Sequence, residues 1–255
     1  MESAAQTTDD AGQRMGDLRA RALVCTRCGL AETRTQVVFG DGNPATPLVI
    51  VGEGPGDNED RQGKPFVGRA GKLLDECLLE CGMTRQHVWI TNVIKCRACV
   101  EEDGRLKNRP PRAEEVVACK PIIAEEITII RPLVVLCLGG PAANLIIHKG
   151  FRMTKERGVW FDDTPYAPCA MAALHPAYVL RQFGGELEDT KRQLIEDISE
   201  ARRKVVELKA AKEQGKFFDP RDAALQRSLA EHTSGSDSSS DLAEGEQDKG
   251  QMELF

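Results

Sequence analysis

Nine cysteines stand at positions 25, 28, 77, 81, 96, 99, 119, 137 and 169 of the 255-residue chain. The N-terminal stretch MESAAQTTDDAGQ has no basic or apolar leader region, so an intracellular setting is expected, with thiols, metal ligands or packing rather than a disulfide framework. Cys77 and Cys81 fall in a helical stretch, and Cys137 and Cys169 in apolar, strand-like runs. A buried free cysteine behaves as a small hydrophobe, so these four are expected in the core. Cys25, Cys28, Cys96, Cys99 and Cys119 lie in polar or loop-edge surroundings and call for another explanation.

A second concentration of chemistry is spread over three places: Gly52-Glu53-Gly54-Pro55-Gly56, Thr91-Asn92 and His175-Pro176. Each follows a strand-like run, and open parallel sheets bind ligands outside the carboxyl ends of their strands. A Gly-Pro-rich segment alone reads equally well as a tight turn. GEGPG also lacks the GxGxxG spacing of a dinucleotide site, which disfavours a nucleotide-binding protein. The conjunction of Glu, Asn and His at successive strand ends is the informative feature, because it gathers a polar cluster in one crevice.

The elements that must position these residues are legible as an alternation. Residues 14–24 read as a short helix, followed by strands at Leu48–Val51, Val88–Ile94, Leu133–Leu138 and Pro168–Leu174. Between them lie a Gly- and charge-rich loop (53–69), a helix over 70–82 that Gly82 stops, and a polar loop (97–109). A helix over Arg112–Ile130 follows, which Pro121 should kink or split, and then a short helix at Ala142–Ile147. A last helix spans Leu187 to about Lys212, its apolar stripe suited to packing on its own domain. The fold class expected is α/β, three layers (α/β/α) around a central four-stranded, mainly parallel sheet.

Composition narrows the class of protein. With 41% apolar and 29% charged residues the chain can build a core, and no apolar run reaches the ~18 residues of a membrane helix. The net charge of −6 divides into −3 over residues 1–13, −5 over 233–255 and +2 over the body between. A mildly basic body is compatible with a polyanionic partner without demanding one. Residues 1–13 are expected to be a disordered leader, 14–212 the folded domain and 213–250 a flexible acidic linker.

The segments GEGPGDNED (52–60), KPFVGRAGKLL (64–74), TNVIKC (91–96), NRPPRAEEVVAC (108–119) and HPAYVLR (175–181) together resemble the family 4, iron–sulfur uracil-DNA glycosylases. The resemblance covers about residues 14–210, with five motifs in order. It implies a uracil-DNA glycosylase-like fold and an enzyme of base excision repair that cleaves uracil from single- or double-stranded DNA and leaves an abasic site. A cytoplasmic monomer with no membrane association is expected. The family's cysteine pattern falls on Cys25, Cys28, Cys96 and Cys119 and implies a [4Fe–4S] cluster. The same four thiolates would also suit structural zinc, and Cys99 is an alternative to Cys96.

The pocket residues make sense of that chemistry. Gly52 and Gly54 are candidate substrate-binding residues, Phe66 offers a stacking face, and Asn92 carries the donor and acceptor that complement uracil O4 and N3–H. His175 can donate to O2, where negative charge develops. By resemblance Glu59 lies beside uracil C5 and excludes a thymine methyl group. Some other uracil glycosylases carry a water-activating aspartate where this chain has Gly54, and Glu53 is the residue expected to orient or polarise water instead. A related subgroup with a histidine-ending insertion in the 97–109 loop traps DNA covalently. This loop has no histidine, and ordinary turnover is expected. DNA contacts are expected from Arg97, Lys107, Arg109, Tyr178, Leu180 and Arg181. The other class of function is a non-catalytic iron–sulfur or zinc nucleic-acid-binding module, which would have no need of a base-reading pocket. Finally, Gln251-Met252-Glu253-Leu254-Phe255 is similar to the peptide by which bacterial repair proteins dock on the sliding clamp, with Gln251, Met252, Leu254 and Phe255 as contacts.

Overall fold

The computed structural model describes residues 2–162, 164–219 and 221. The chain divides into Met1–Phe217, which holds the fold, and Phe218–Phe255. The clamp-like pentapeptide and nearly all of the expected linker lie outside the described residues.

Four parallel strands form the centre of the sheet: β2 (Leu48–Gly52), β3 (Trp89–Asn92), β6 (Val134–Leu138) and β8 (Cys169–Ala173). They run in the order β3-β2-β6-β8. The four expected strands are therefore present, the first one residue longer and the other three shorter than expected. Two-residue antiparallel strands flank them, β1 (Asp41–Gly42) beside β3 and β7 (Phe161–Asp162) beside β8, giving six in all. Strands this short have no period for a sequence to display.

Alternation along the central strands builds both cores. Val49 and Val51, Val135 and Cys137, and Ala170 and Ala172 face one side, with α1 (Glu2–Leu23), α5 (Ala113–Ile130) and α6 (Gly140–Ile146) packed over them. Leu48 and Ile50, Val134, Leu136 and Leu138, and Met171 and Ala173 face the other, under α4 (Arg69–Glu80) and α9 (Gly185–Glu213). Both faces are buried, so the strands are apolar throughout and the layers are α/β/α. Leu194, Ile198, Ala201, Val205 and Leu208 of α9 are buried in the second core, as their spacing predicts. Cys77, Cys81, Cys137 and Cys169 are core residues. Among the described residues no helix is long and apolar enough to cross a membrane.

Three expectations need correction. Residues 1–13 were expected to be a disordered leader, yet α1 extends back to Glu2. Helix-favouring Ala4, Ala5 and Gln6 continue a helix that Met15, Leu18 and Ala22 anchor in the core. Of the two outcomes expected at Pro121, a kink or a split, the split does not occur, since α5 runs through it. The segment 97–109 is a hairpin, β4 (Cys99–Glu102) against β5 (Arg105–Asn108). Asp103 and Gly104 at its turn have φ of 53° and 70°, the geometry that Asp-Gly hairpins favour.

Candidate active site

The strand order reverses between β2 and β6, and the carboxyl ends of β2, β3 and β8 meet a cavity of about 540 Å3. Glu53 follows β2, Asn92 ends β3 and His175 follows β8 by two residues; all three line the cavity with Phe66 and Glu59. The expected pocket is thus assembled from elements far apart in the chain.

Close approach is what the glycines supply. A Cβ on Gly52 would lie 2.5 Å from Asn92 Oδ1 and 2.5 Å from the Phe66 ring. A Cβ on Gly54 would lie 2.7 Å from Ile94 Cγ1, so any larger residue there would have to displace the Ile94 side chain. Asn92 is buried, and its Oδ1 has no hydrogen-bond partner. A buried amide oxygen left unpaired is costly and marks a place where a ligand donor belongs.

His175 caps the short helix α8 (Pro176–Val179), and its Nδ1 accepts the Ala177 N–H at 3.0 Å. With Nδ1 an acceptor, a neutral ring carries its proton on Nε2. Burial, helped by the charge of Arg181, pushes the ring pKa down to about 4, so the imidazole is neutral at pH 7. Its centroid lies 5.7 Å from that of Phe66, with the planes inclined by 30°. Burial raises the Glu53 carboxyl above the ordinary carboxylate range. Glu59 is held firmly: Oε1 accepts the N–H groups of Val67 (2.9 Å) and Gly68 (2.7 Å), and Oε2 that of Gly56 (3.1 Å). It joins the start of α3 (Asp57–Gln62), a helix inside the expected loop, to the start of α4.

Behind Asn92 lies a buried network that residue types alone did not reveal. Lys95 Nζ contacts Glu126 Oε2 and Thr91 Oγ1, each at 2.5 Å, and the Asn92 carbonyl at 2.9 Å. The only sequence signal was a lysine between an apolar run and Cys96.

Cys25, Cys28, Cys96 and Cys119 line one small cavity between α1, α5 and the 94–96 segment. Cys99 lies outside it, at the start of the hairpin. Arg34 Nη1 donates to Cys96 Sγ at 3.4 Å and to the Cys25 carbonyl at 2.7 Å, and the Lys95 backbone N–H donates to Cys119 Sγ at 3.3 Å. Donors aimed at sulfur suit thiolate ligands, so this set fits a metal cluster.

The expected DNA contacts divide. Arg97 is a correction: it is 6% exposed and spends its guanidinium on Asn108 Oδ1 (2.7 Å), Asp57 Oδ1 (2.6 Å) and the Leu106 carbonyl (3.1 Å). It braces the hairpin against α3 and is not offered to solvent. Arg109 forms a fork with Glu115 at 2.9 and 2.5 Å and lines the cavity mouth. Lys107 is exposed and paired with Glu102. Tyr178 and Arg181 are exposed after the His-Pro turn, while Leu180 packs partly on the core. Phe183, 85% exposed in the same segment, was not anticipated.

A three-layer α/β/α domain with an Asn- and His-lined cavity at its strand ends defines a class. The family model described as the uracil DNA glycosylase superfamily matches residues 39–199, and the chain belongs to that superfamily. Within it, the chain is similar to proteins named Type-4 uracil-DNA glycosylase. That of Thermotoga maritima is 42% identical, over 71% of this chain and 90% of the relative. That of Archaeoglobus fulgidus is 35% identical over 80% and 98%, and that of Sulfurisphaera tokodaii 40% identical over 56% and 66%.

Proposed function

We infer that this chain is a DNA repair glycosylase that takes a flipped uracil into the cavity, hydrolyses its N-glycosidic bond and leaves an abasic site. The observation that carries this is the unpaired Oδ1 of buried Asn92, which lines the cavity together with Phe66 and the neutral His175. Uracil presents an N3–H to that oxygen, whereas cytosine presents a lone pair there. Phe66 stacks on the base, Glu59 stands beside C5, and Gly52 and Gly54 leave the space. As the C1′–N1 bond breaks, its electron pair passes to the uracil ring, and His175 Nε2–H donates to O2 where that charge collects. Glu53 orients the water whose oxygen bonds to C1′, and the proton it sheds passes to solvent. A non-catalytic binding module has no use for this pocket. Incubating the protein with an oligonucleotide holding one uracil, then treating with alkali, should give a single strand break; an intact strand would refute the activity.

Cys25, Cys28, Cys96 and Cys119 hold a [4Fe–4S] cluster in this reading. These cysteines would hold it between α1, α5 and the segment that leads into the hairpin, where it would tie those elements together. What supports the cluster is that the four sulfurs line one cavity, with N–H donors aimed at Cys96 and Cys119. Lys107, Arg109, Tyr178, Leu180 and Arg181 contact DNA, single- or double-stranded, and the enzyme works as a cytoplasmic monomer. Gln251, Met252, Leu254 and Phe255 dock on a sliding clamp, which raises the enzyme's effective concentration at DNA. Removing residues 251–255 should abolish clamp binding in a titration; equal binding by both forms would refute it.

A further inference from the structure

Phe66 holds its backbone at φ 53°, in the left-handed region that a bulky side chain rarely occupies. Two charged groups hold the turn from opposite sides. Glu59 takes the N–H groups of Val67 and Gly68. Arg85, in the 3-10 turn Arg85–His87 between α4 and β3, takes the carbonyls: Nη1 donates to Pro65 O at 2.9 Å and Nη2 to Phe66 O. Its Nε is meanwhile paired with Asp75 Oδ1 of α4 at 2.7 Å. The helix presses on the same carbonyl, because a Cβ at Gly71 would fall 1.7 Å from Phe66 O. Arg85 does not itself line the cavity.

We infer that Arg85, locked by Asp75, is a positioning residue that fixes the Phe66 ring as the wall on which the base stacks. Its planar fork meets two carbonyls and a carboxylate with donors in fixed directions, whereas a lysine would offer a single point charge on a flexible stem. The inference rests on Phe66 being the stacking wall.

A double-mutant cycle on uracil-containing DNA tests it. Phe66→Ala should lower kcat/KM by on the order of 10- to 100-fold, the range for losing one base–aromatic stack. Arg85→Ala should lower it by about tenfold, chiefly through KM, as expected when two hydrogen bonds that order the wall are lost. In the Phe66→Ala background Arg85→Ala should have no further effect. Arg85→Lys should fall between wild type and Arg85→Ala. If Arg85→Ala costs the same factor in both backgrounds, or lowers Tm while leaving kcat/KM at the wild-type value, the inference is overturned. A wild-type rate for Phe66→Ala would instead remove the stacking role on which it rests. Should Arg85→Ala not fold, Arg85→Gln, which keeps one donor, completes the same cycle.

Discussion

Lys95 and Glu126 form an ion pair of 2.5 Å with side chains 1% and 0% exposed, and the same ammonium holds the Asn92 carbonyl. Glu126 also accepts from Thr91 Oγ1 (3.0 Å) and the Gly40 N–H (3.2 Å), so one carboxylate joins α5 to the end of β3 and to the segment before β1. Cys96 and Cys119 flank this network, through chain continuity with Lys95 and through the N–H that Lys95 gives to Cys119.

Removing one partner leaves the other charged and buried. Lys95→Met should therefore destabilise the fold by about 3–5 kcal/mol, and Lys95→Met combined with Glu126→Leu by clearly less. Urea unfolding of both variants measures this; a single variant within about 1 kcal/mol of wild type would contradict it.

The packing of Gly52 against Asn92 and Phe66 gives a sharper expectation. Gly52→Ala puts a methyl group 2.5 Å from both, and a misplacement on the scale of 1 Å should cost kcat/KM about 10²-fold. Asn92→Asp should weaken uracil selection and open cleavage of cytosine, because a carboxylate can accept from the N4 amine. Parallel assays with U- and C-containing oligonucleotides check both.

The neutral His175 makes a claim about pH. With a folded-state pKa of about 4 against 6.5 for a free histidine, the unfolded chain takes up a proton between those values that the folded chain refuses. The His175 contribution therefore lowers stability as pH falls from about 6.5 to about 4, and no further below. Correspondingly kcat/KM should show no step near pH 6.5, and His175→Ala should slow cleavage by about 10²–10³. A step near pH 6.5 that disappears in His175→Gln would show that the ring is protonated in the working range.

The cysteine cavity is tested by composition. Anaerobically purified protein should carry about four irons and four sulfides per chain. Serine at position 25, 28, 96 or 119 should abolish that content and lower Tm, whereas Cys99→Ser should leave both unchanged. Stoichiometric zinc without sulfide would overturn the cluster.

The four central strands and the pocket residues were legible because each signal is local. Continuous β-branched runs such as Leu48–Val51 mark strands buried on both faces, and polar residues directly after them mark strand ends. The hairpin was legible too, in Asp103-Gly104, but the charged residues around it suggested a loop. Arg97 went astray for a related reason. A basic residue in a polar segment reads as a DNA contact, and only Asp57, distant in sequence, turns it into a buried brace.

The amino-acid sequence laid out the chemistry on offer: which strand ends carry Glu53, Asn92 and His175 and, through the family resemblance, which four cysteines match a cluster pattern. Tertiary structure alone decided how those groups are held. The left-handed turn at Phe66 depends on Arg85 and Glu59, the neutral state of His175 on its burial and on the Ala177 N–H, and the placing of Asn92 on Lys95 and Glu126. These couplings join residues from separate elements. Hydrogen bonding and desolvation act through space, so no periodicity along the chain records them.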